Sequence, residues 1–337
     1  MKKISASDWD KIIENCLIRI IFVGKFDINR MLNRRILRIK AFKTVYALAE
    51  NPTMTPAEAQ AQLEASCQST RDLYLFMLAM VPALTSHARE RIEAARRKFH
   101  PTEEESNPNM KFVDNAIAAT LAEDPDFKKI IARKKLQWDQ YDAFLWSLYD
   151  SVKASGYYAD YMASGTQSAA EDAALWTKIF ENELVGNTKL EEILEAASIW
   201  WNDDLAYALT ACCHEVVALA EGTQWKLPEL YLSQMQENSG KDSDADFVRG
   251  IVNRAVLDFS KDVEAIAKLT PKWDITRICT TDLALIVSGM AESAAFPSIP
   301  VKIIMNEYVE ISKYYSTPES RSFVNGLLDK LINTNKQ

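Results

Sequence analysis

Apolar positions recur with a helical period along most of this chain, and the pattern predicts an all-α protein. Near the C-terminus, Val301, Ile304, Met305, Tyr308 and Ile311 follow the i, i+3, i+4, i+7 spacing of one buried face. Pro300 suits the first turn of that helix, where a missing N–H is harmless. Thr317 reads as the cap of the next helix, with Pro318 at its first position. That helix buries Phe323, Val324, Leu327, Leu328 and Leu331, and Gly326 inside it marks a close approach of another backbone. Upstream, Phe247, Ile251, Ala255 (or Val256), Phe259, Val263 and Ile266 trace a long amphipathic helix, closed by Pro271, Lys272, Trp273 and Asp274. Residues 282–292 are apolar almost all round, which places that helix in the middle of a bundle.

The first half reads the same way. Ile39, Phe42, Tyr46 and Ala49 form an apolar stripe in residues 31–50. Thr55-Pro56-Ala57-Glu58 is a capping-box pattern. A long helical pattern covers residues 69–99, with Pro82 expected to kink or break it. Asn107-Pro108-Asn109 is a loop, and further helices are expected near 110–122, 138–154, 169–184 and 189–221. Trp138, Tyr141, Trp146, Tyr149, Trp176, Trp200, Trp201 and Tyr207 read as core or as a helix–helix seam. The polar run at 234–245 is the best boundary. It divides the chain into an N-terminal helical lobe, 31–243, and a C-terminal helical domain, 244–337. Residues 17–23 are a β-branched apolar run that could form a strand. Residues 1–30 are read either as sequence upstream of a start at Met31 or as an extension packed on the core.

Composition narrows the picture. The 337 residues suffice for two lobes. Only nine are glycine, which argues against glycine-rich phosphate loops and a turn-rich β fold. A net charge of −8 means that any polyanion contact needs a local basic patch. Five scattered cysteines with no Cys-x-x-Cys pair fit a reducing compartment. With no signal peptide and no membrane-length apolar run, a cytoplasmic protein is expected. Cys212-Cys213-His214-Glu215 does not form a metal site, because adjacent helical cysteines point about 100° apart. No metal, cofactor or catalytic residue is assigned.

Charge is concentrated at the first helix. Arg34, Arg35, Arg38, Lys40 and Lys43 precede any acid before Glu50. Taken alone, such a helix is more often a solvated charged face than a phosphate-binding one, although arginine forks match phosphate oxygens; a family resemblance reverses that preference. Two further basic runs, Arg89 to Lys98 and Lys128 to Lys135, offer the same two readings, with a solvated face favoured for each.

Asn306-Glu307-Tyr308-Val309-Glu310, then Lys313-Tyr314, then Phe323-Val324-Asn325-Gly326-Leu327-Leu328-Asp329-Lys330 resembles the C-terminal signature of the transcription antitermination factor NusB family. The resemblance covers roughly 245–333 and 31–50. It leaves 51–235 as a helical insertion enlarging the N-terminal lobe. It implies a non-enzymatic, RNA-binding antitermination factor without a cofactor. Such a factor acts on single-stranded boxA-type elements of ribosomal RNA transcripts, with the NusE ribosomal protein and the RNA polymerase elongation complex as partners. Neither a membrane nor DNA is expected as a partner. The resemblance assigns RNA contact to Arg34, Arg35, Arg38, Lys40, Ser320, Arg321 and Phe323, and the protein partner to Tyr46 and Asp282. Glu292 matches a family glutamate that follows its helix. Two alternatives stand beside this. One is a protein-binding helical scaffold with no RNA. The other is a relative of the NusB-like domain of RNA cytosine methyltransferases, ranked low because no glycine-rich cofactor loop or catalytic-cysteine context is present.

Overall fold

A computed structural model describes residues 31–231, 243–270 and 277–334. The strand reading of 17–23, the reading of 1–30, most of the polar boundary and the closure at Pro271 lie outside the described residues. Those described form fourteen α-helices and no β-strand. They group into two compact units, Ser69–Pro228 and Leu32–Gln68 with Glu229–Gln337. This differs from a division at 243/244. The first helix and residues up to Gln68 belong with the C-terminal helices, because the first helix packs against two of them.

The second unit begins with α1 (Arg34–Glu50), capped by Asn33, whose side chain accepts the Ile36 N–H. α2 (Pro56–Arg96) starts in this unit and continues into the other. Its start is the expected capping box: Thr55 N–H donates to Glu58 at 2.8 Å, and Glu58 N–H donates to Thr55 Oγ1 at 3.3 Å. Pro82 neither ends nor divides α2, which runs on to Arg96. Hydrogen bonds on either side of one missing N–H suffice to carry a long packed helix past a proline.

Ser69–Pro228 continues with α3 (Glu103–Ser106), α4 (Ala116–Glu123), α5 (Pro125–Lys134), α6 (Asp142–Ala154), α7 (Gly156–Ala163), α8 (Ala169–Ile179), α9 (Thr188–Ala197) and α10 (Leu205–Ala220). The helix expected over 169–184 ends as a π-helical turn, and the pattern at 189–221 divides at Ser198, which caps a short 3-10 turn. The aromatic residues do build a core. Phe76 stacks on Trp138 at 4.2 Å and on Trp201 at 5.3 Å. Trp138 Nε1 donates to the Phe76 carbonyl, and Trp176 Nε1 donates to Asn115. Trp146 is the exception: half of it is exposed, beneath the Arg91 guanidinium.

Glu229–Gln337 adds α11 (Asp244–Leu269), α12 (Thr280–Ala295), α13 (Val301–Tyr315) and α14 (Pro318–Thr334). α12 is buried continuously from Ala284 to Glu292 and packs against α1, α11, α13 and α14, as its all-round apolar pattern requires. The close approach in this bundle is not at Gly326, which is exposed with nothing near its Cβ position. It is at Gly289, where a Cβ would stand 2.7 Å from Leu328 Cδ2 and 3.3 Å from Tyr308. Gly250 meets the Phe296 ring in the same way.

Candidate nucleic-acid interface at the first helix

The first turns of α1 carry three arginines, and each meets a carboxylate from a helix far away in sequence. Arg34 Nε lies 3.3 Å from Asp244, and its guanidinium sits 4.5 Å over the Phe247 ring. Arg35 forms a two-pronged pair with Glu307, Nε donating at 3.0 Å and Nη2 at 2.8 Å. Arg38 donates from Nε and Nη2 to Glu292 at 2.7–3.1 Å, and its Nη1 lies 3.5 Å from Glu307. The three pairs differ in depth. The Arg34 and Arg35 side chains keep 32% and 27% of their surface, whereas Arg38 keeps 7% and Glu292 none.

Burial opposes charge on Arg38, but the hydrogen bonds and charge of Glu292 outweigh it, so the guanidinium stays firmly protonated. The Glu307 hydrogen bond likewise raises Arg35. Burial pushes Glu307 up, yet the Arg35 fork and the Arg38 charge hold it below its ordinary value. Tyr308, wholly buried, is raised first by burial and then by the Glu292 carboxylate. Glu292 lies within α12 rather than after it, where the resemblance set it.

The stripe expected on α1 is incomplete, because the helix is buried nearly all round. Ile36, Leu37, Arg38, Ile39, Lys40, Ala41, Phe42, Thr44, Val45 and Leu48 are all buried. Lys40 has no exposed surface, and Tyr46, expected in the apolar stripe, is 39% exposed. The basic helix is therefore divided. Arg34 and Arg35 reach the surface, while Arg38 and Lys40 lie inside the bundle.

Pairing order sets the direction of the packing. Arg35 meets Glu307 and Phe42 meets Tyr315 at 5.2 Å, so α1 runs parallel to α13. At the far end, Asp282 opens α12, and Ser316 and Ser320 donate to its two oxygens at 2.5 and 2.7 Å. Asp282 is buried, so a residue expected to face a protein partner instead ties the start of α14 to α12. Ser320, expected at RNA, is one of its hydrogen-bond partners. Arg321 and Phe323 are half-buried beside it, and Arg321 Nε has no hydrogen-bond partner among the described residues. Thr317 Oγ1 accepts the Ser320 N–H, as a cap should.

Sequence reasoning placed the arginines but not the carboxylates that hold them. Asp244, Glu292 and Glu307 lie 210, 254 and 272 residues from their partners, and no local spacing joins such positions. The Cys212–Glu215 segment holds no metal-type cluster among the described residues. Its Glu215 is instead a buried acceptor of the Tyr74 hydroxyl, raised to about 7 by burial.

Comparison with known proteins agrees with this bundle. A family model described as NusB family matches residues 213–333. The transcription antitermination protein NusB of Geobacter sulfurreducens is 30% identical over 118 residues, which are 34% of this chain and 82% of that protein. Its namesake in Natranaerobius thermophilus is 31% identical over 87 residues, 26% of this chain and 63% of that protein. In Alkaliphilus oremlandii the identity is 28% over 96 residues, 28% of this chain and 70% of that protein. The chain thus spans between about three-fifths and four-fifths of these relatives. No solved structure matches. α1 lies outside the family-model match, yet it packs on α11 and α12 within it. No described helix is long and apolar enough to cross a membrane. The chain belongs to the NusB family.

Proposed function

We propose that this protein is an RNA-binding transcription antitermination factor without enzymatic activity. It engages boxA-type single-stranded elements of ribosomal RNA transcripts together with the NusE ribosomal protein, at the RNA polymerase elongation complex. The observation that carries the reading is the start of α1. Arg34 and Arg35 reach the surface from a helix that the buried Arg38–Glu292 pair fixes onto the family bundle. Guanidinium groups that keep about a third of their surface on a packed helix suit phosphate oxygens, which would compete with Asp244 and Glu307 for them, and phosphate contacts set position while base contacts specify. Arg38 acts as a positioning residue through Glu292, and buried Lys40 serves with it. Arg321 and Phe323, ordered by the Ser320–Asp282 bond, supply a further RNA contact. Tyr46 faces the protein partner, with Asp282 supporting that end of the bundle.

The test is fluorescence anisotropy of a labelled boxA-type RNA against a scrambled one, with and without the NusE ribosomal protein, at several salt concentrations. Selective binding that tightens with the partner is expected. The Arg34→Ala/Arg35→Ala variant should bind more weakly, with a salt slope shallower by about 0.7 for each cation lost. No selectivity under either condition overturns the reading.

A further inference from the structure

On α1 the arginines already face carboxylates. A second concentration of cations lies on α5, in the Ser69–Pro228 unit, and its chemistry is different. Lys128, Lys129, Arg133 and Lys135 are exposed, and none of the four has an ion pair or hydrogen-bonded side-chain partner among the described residues. Lys134 alone is held, 2.8 Å from Asp72. At the basic end of α2 and just past it most cations are committed: Arg89 pairs with Asp114, Arg91 with Asp150 and Lys98 with Glu105, while Arg96 is exposed in the last turn.

The shape of α5 keeps its cations outward. Asp124 caps it, Pro125 opens it, and Phe127, Ile130 and Ile131 anchor one face in the core. At about 100° per residue, Lys129 and Arg133 fall about 40° apart opposite that anchor, with exposed Asp126 beside them, and Lys128 lies on the flank. Lys135 follows in a left-handed conformation, φ 56°, just past the last turn. The helix dipole accounts for cations in the last turn. It does not account for Lys128 and Lys129, which stand nearer the positive end. Lys129 and Arg133 are also like charges four residues apart, an arrangement that works against a helix. An anion held between them removes that repulsion. The aromatic side chains nearest this face in sequence, Phe127 and Trp138, are both buried, so it offers charge without a stacking platform.

We propose that the outer face of α5 is a second phosphate-binding surface, one that grips the backbone of single-stranded RNA without reading its bases. The proposal rests on the RNA-binding function proposed above and gives the inserted unit a part in it. Such a surface raises affinity for every RNA alike and leaves selectivity to the family bundle.

The experiment uses the full chain carrying Lys128→Gln, Lys129→Gln, Arg133→Gln and Lys135→Asn, asparagine being tolerant of the left-handed conformation. A control of equal charge change carries Lys178→Gln, Lys226→Gln, Lys268→Gln and Lys302→Gln, four exposed lysines scattered over the chain. Circular dichroism and melting temperature check that both fold. Anisotropy is then read with boxA-type and scrambled RNA over a salt series. The α5 variant should weaken binding to both RNAs by the same factor and lower the salt slope by up to about 3, at about 0.7 per cation. The control should change the slope far less. Wild-type binding with an unchanged slope in the α5 variant overturns the α5 surface alone. A control as damaging as the α5 variant also overturns it, by showing a net-charge effect. No RNA binding by the wild-type chain overturns the functional reading and the α5 surface together.

Discussion

α1 and α5 read alike in sequence, each a short helix dense in lysine and arginine, and they end in opposite environments. Arg34, Arg35 and Arg38 of α1 meet Asp244, Glu307 and Glu292, and Lys40 is buried outright. Lys128, Lys129 and Arg133 of α5 stand in solvent above an apolar anchor of Phe127, Ile130 and Ile131. Basic residues in a sequence are therefore not the same thing as a basic surface. Their fate depends on how many faces of the helix are covered. α5 presents one face to a core, while α1 is packed nearly all round and must neutralise the charges it takes inside.

That contrast can be broken most directly at Glu292. Glu292→Ala leaves the Arg38 guanidinium buried without its main partner, and chemical denaturation should show a loss of about 3–5 kcal/mol. Replacing both residues with methionine should recover most of that loss, since hydrophobic substitution of a whole buried pair is often neutral or better. A Glu292→Ala protein as stable as wild type would mean the pair is not buried in solution.

A smaller effect is expected at Glu307, and it depends on pH. Arg35 and Arg38 hold this carboxyl below its ordinary 4.5 despite burial. As pH falls, the unfolded chain therefore takes up this proton before the folded one does. The stability it contributes is complete above about 4.5 and disappears as pH falls through the lower folded value. The stability difference between wild type and Glu307→Gln should accordingly shrink as pH is lowered from about 6 to about 3. A difference that stays constant over that range would show that the Arg35 pair does not shift the titration.

The smallest stability effect belongs to α5. Neutralising Lys128, Lys129 and Arg133 removes no partner and should move unfolding by no more than about 0.5 kcal/mol. A larger loss would show that these side chains are committed after all and would erase the contrast with α1.

Much of the architecture is legible in the chain itself. The apolar circumference of residues 282–292 implied a central helix, and α12 is buried from Ala284 to Glu292. Thr55 and Glu58 announced a capping box and make one. These features are local: period, cap and first-turn chemistry act over four residues or fewer, so a reader of the chain has every partner in view. The misreadings share the opposite property. Of the kink or break expected at Pro82, the break does not occur, and the helix continues to Arg96. Gly326 makes no close approach, and the tight glycine is Gly289, pressed by the Tyr308 and Leu328 side chains from two other helices. Of the two readings of the aromatic residues, Trp146 fits the seam rather than the core: it lies half in solvent against His87 and Arg91 of α2.

The candidate site divides along the same line. The positions of Arg34, Arg35 and Arg38 on one helix, and the Asn306–Tyr308 and Phe323–Lys330 blocks that mark the family, follow from the chain alone, because they are statements about order and period. That Arg38 and Lys40 turn inward, that Asp282 ties down Ser316 and Ser320, and that Lys128, Lys129 and Arg133 of α5 stay exposed while Lys134 meets Asp72 are outcomes of packing. A charge is neutralised or exposed according to which carboxylate arrives within hydrogen-bonding distance. In this protein the arriving carboxylate sits more than two hundred residues away from α1.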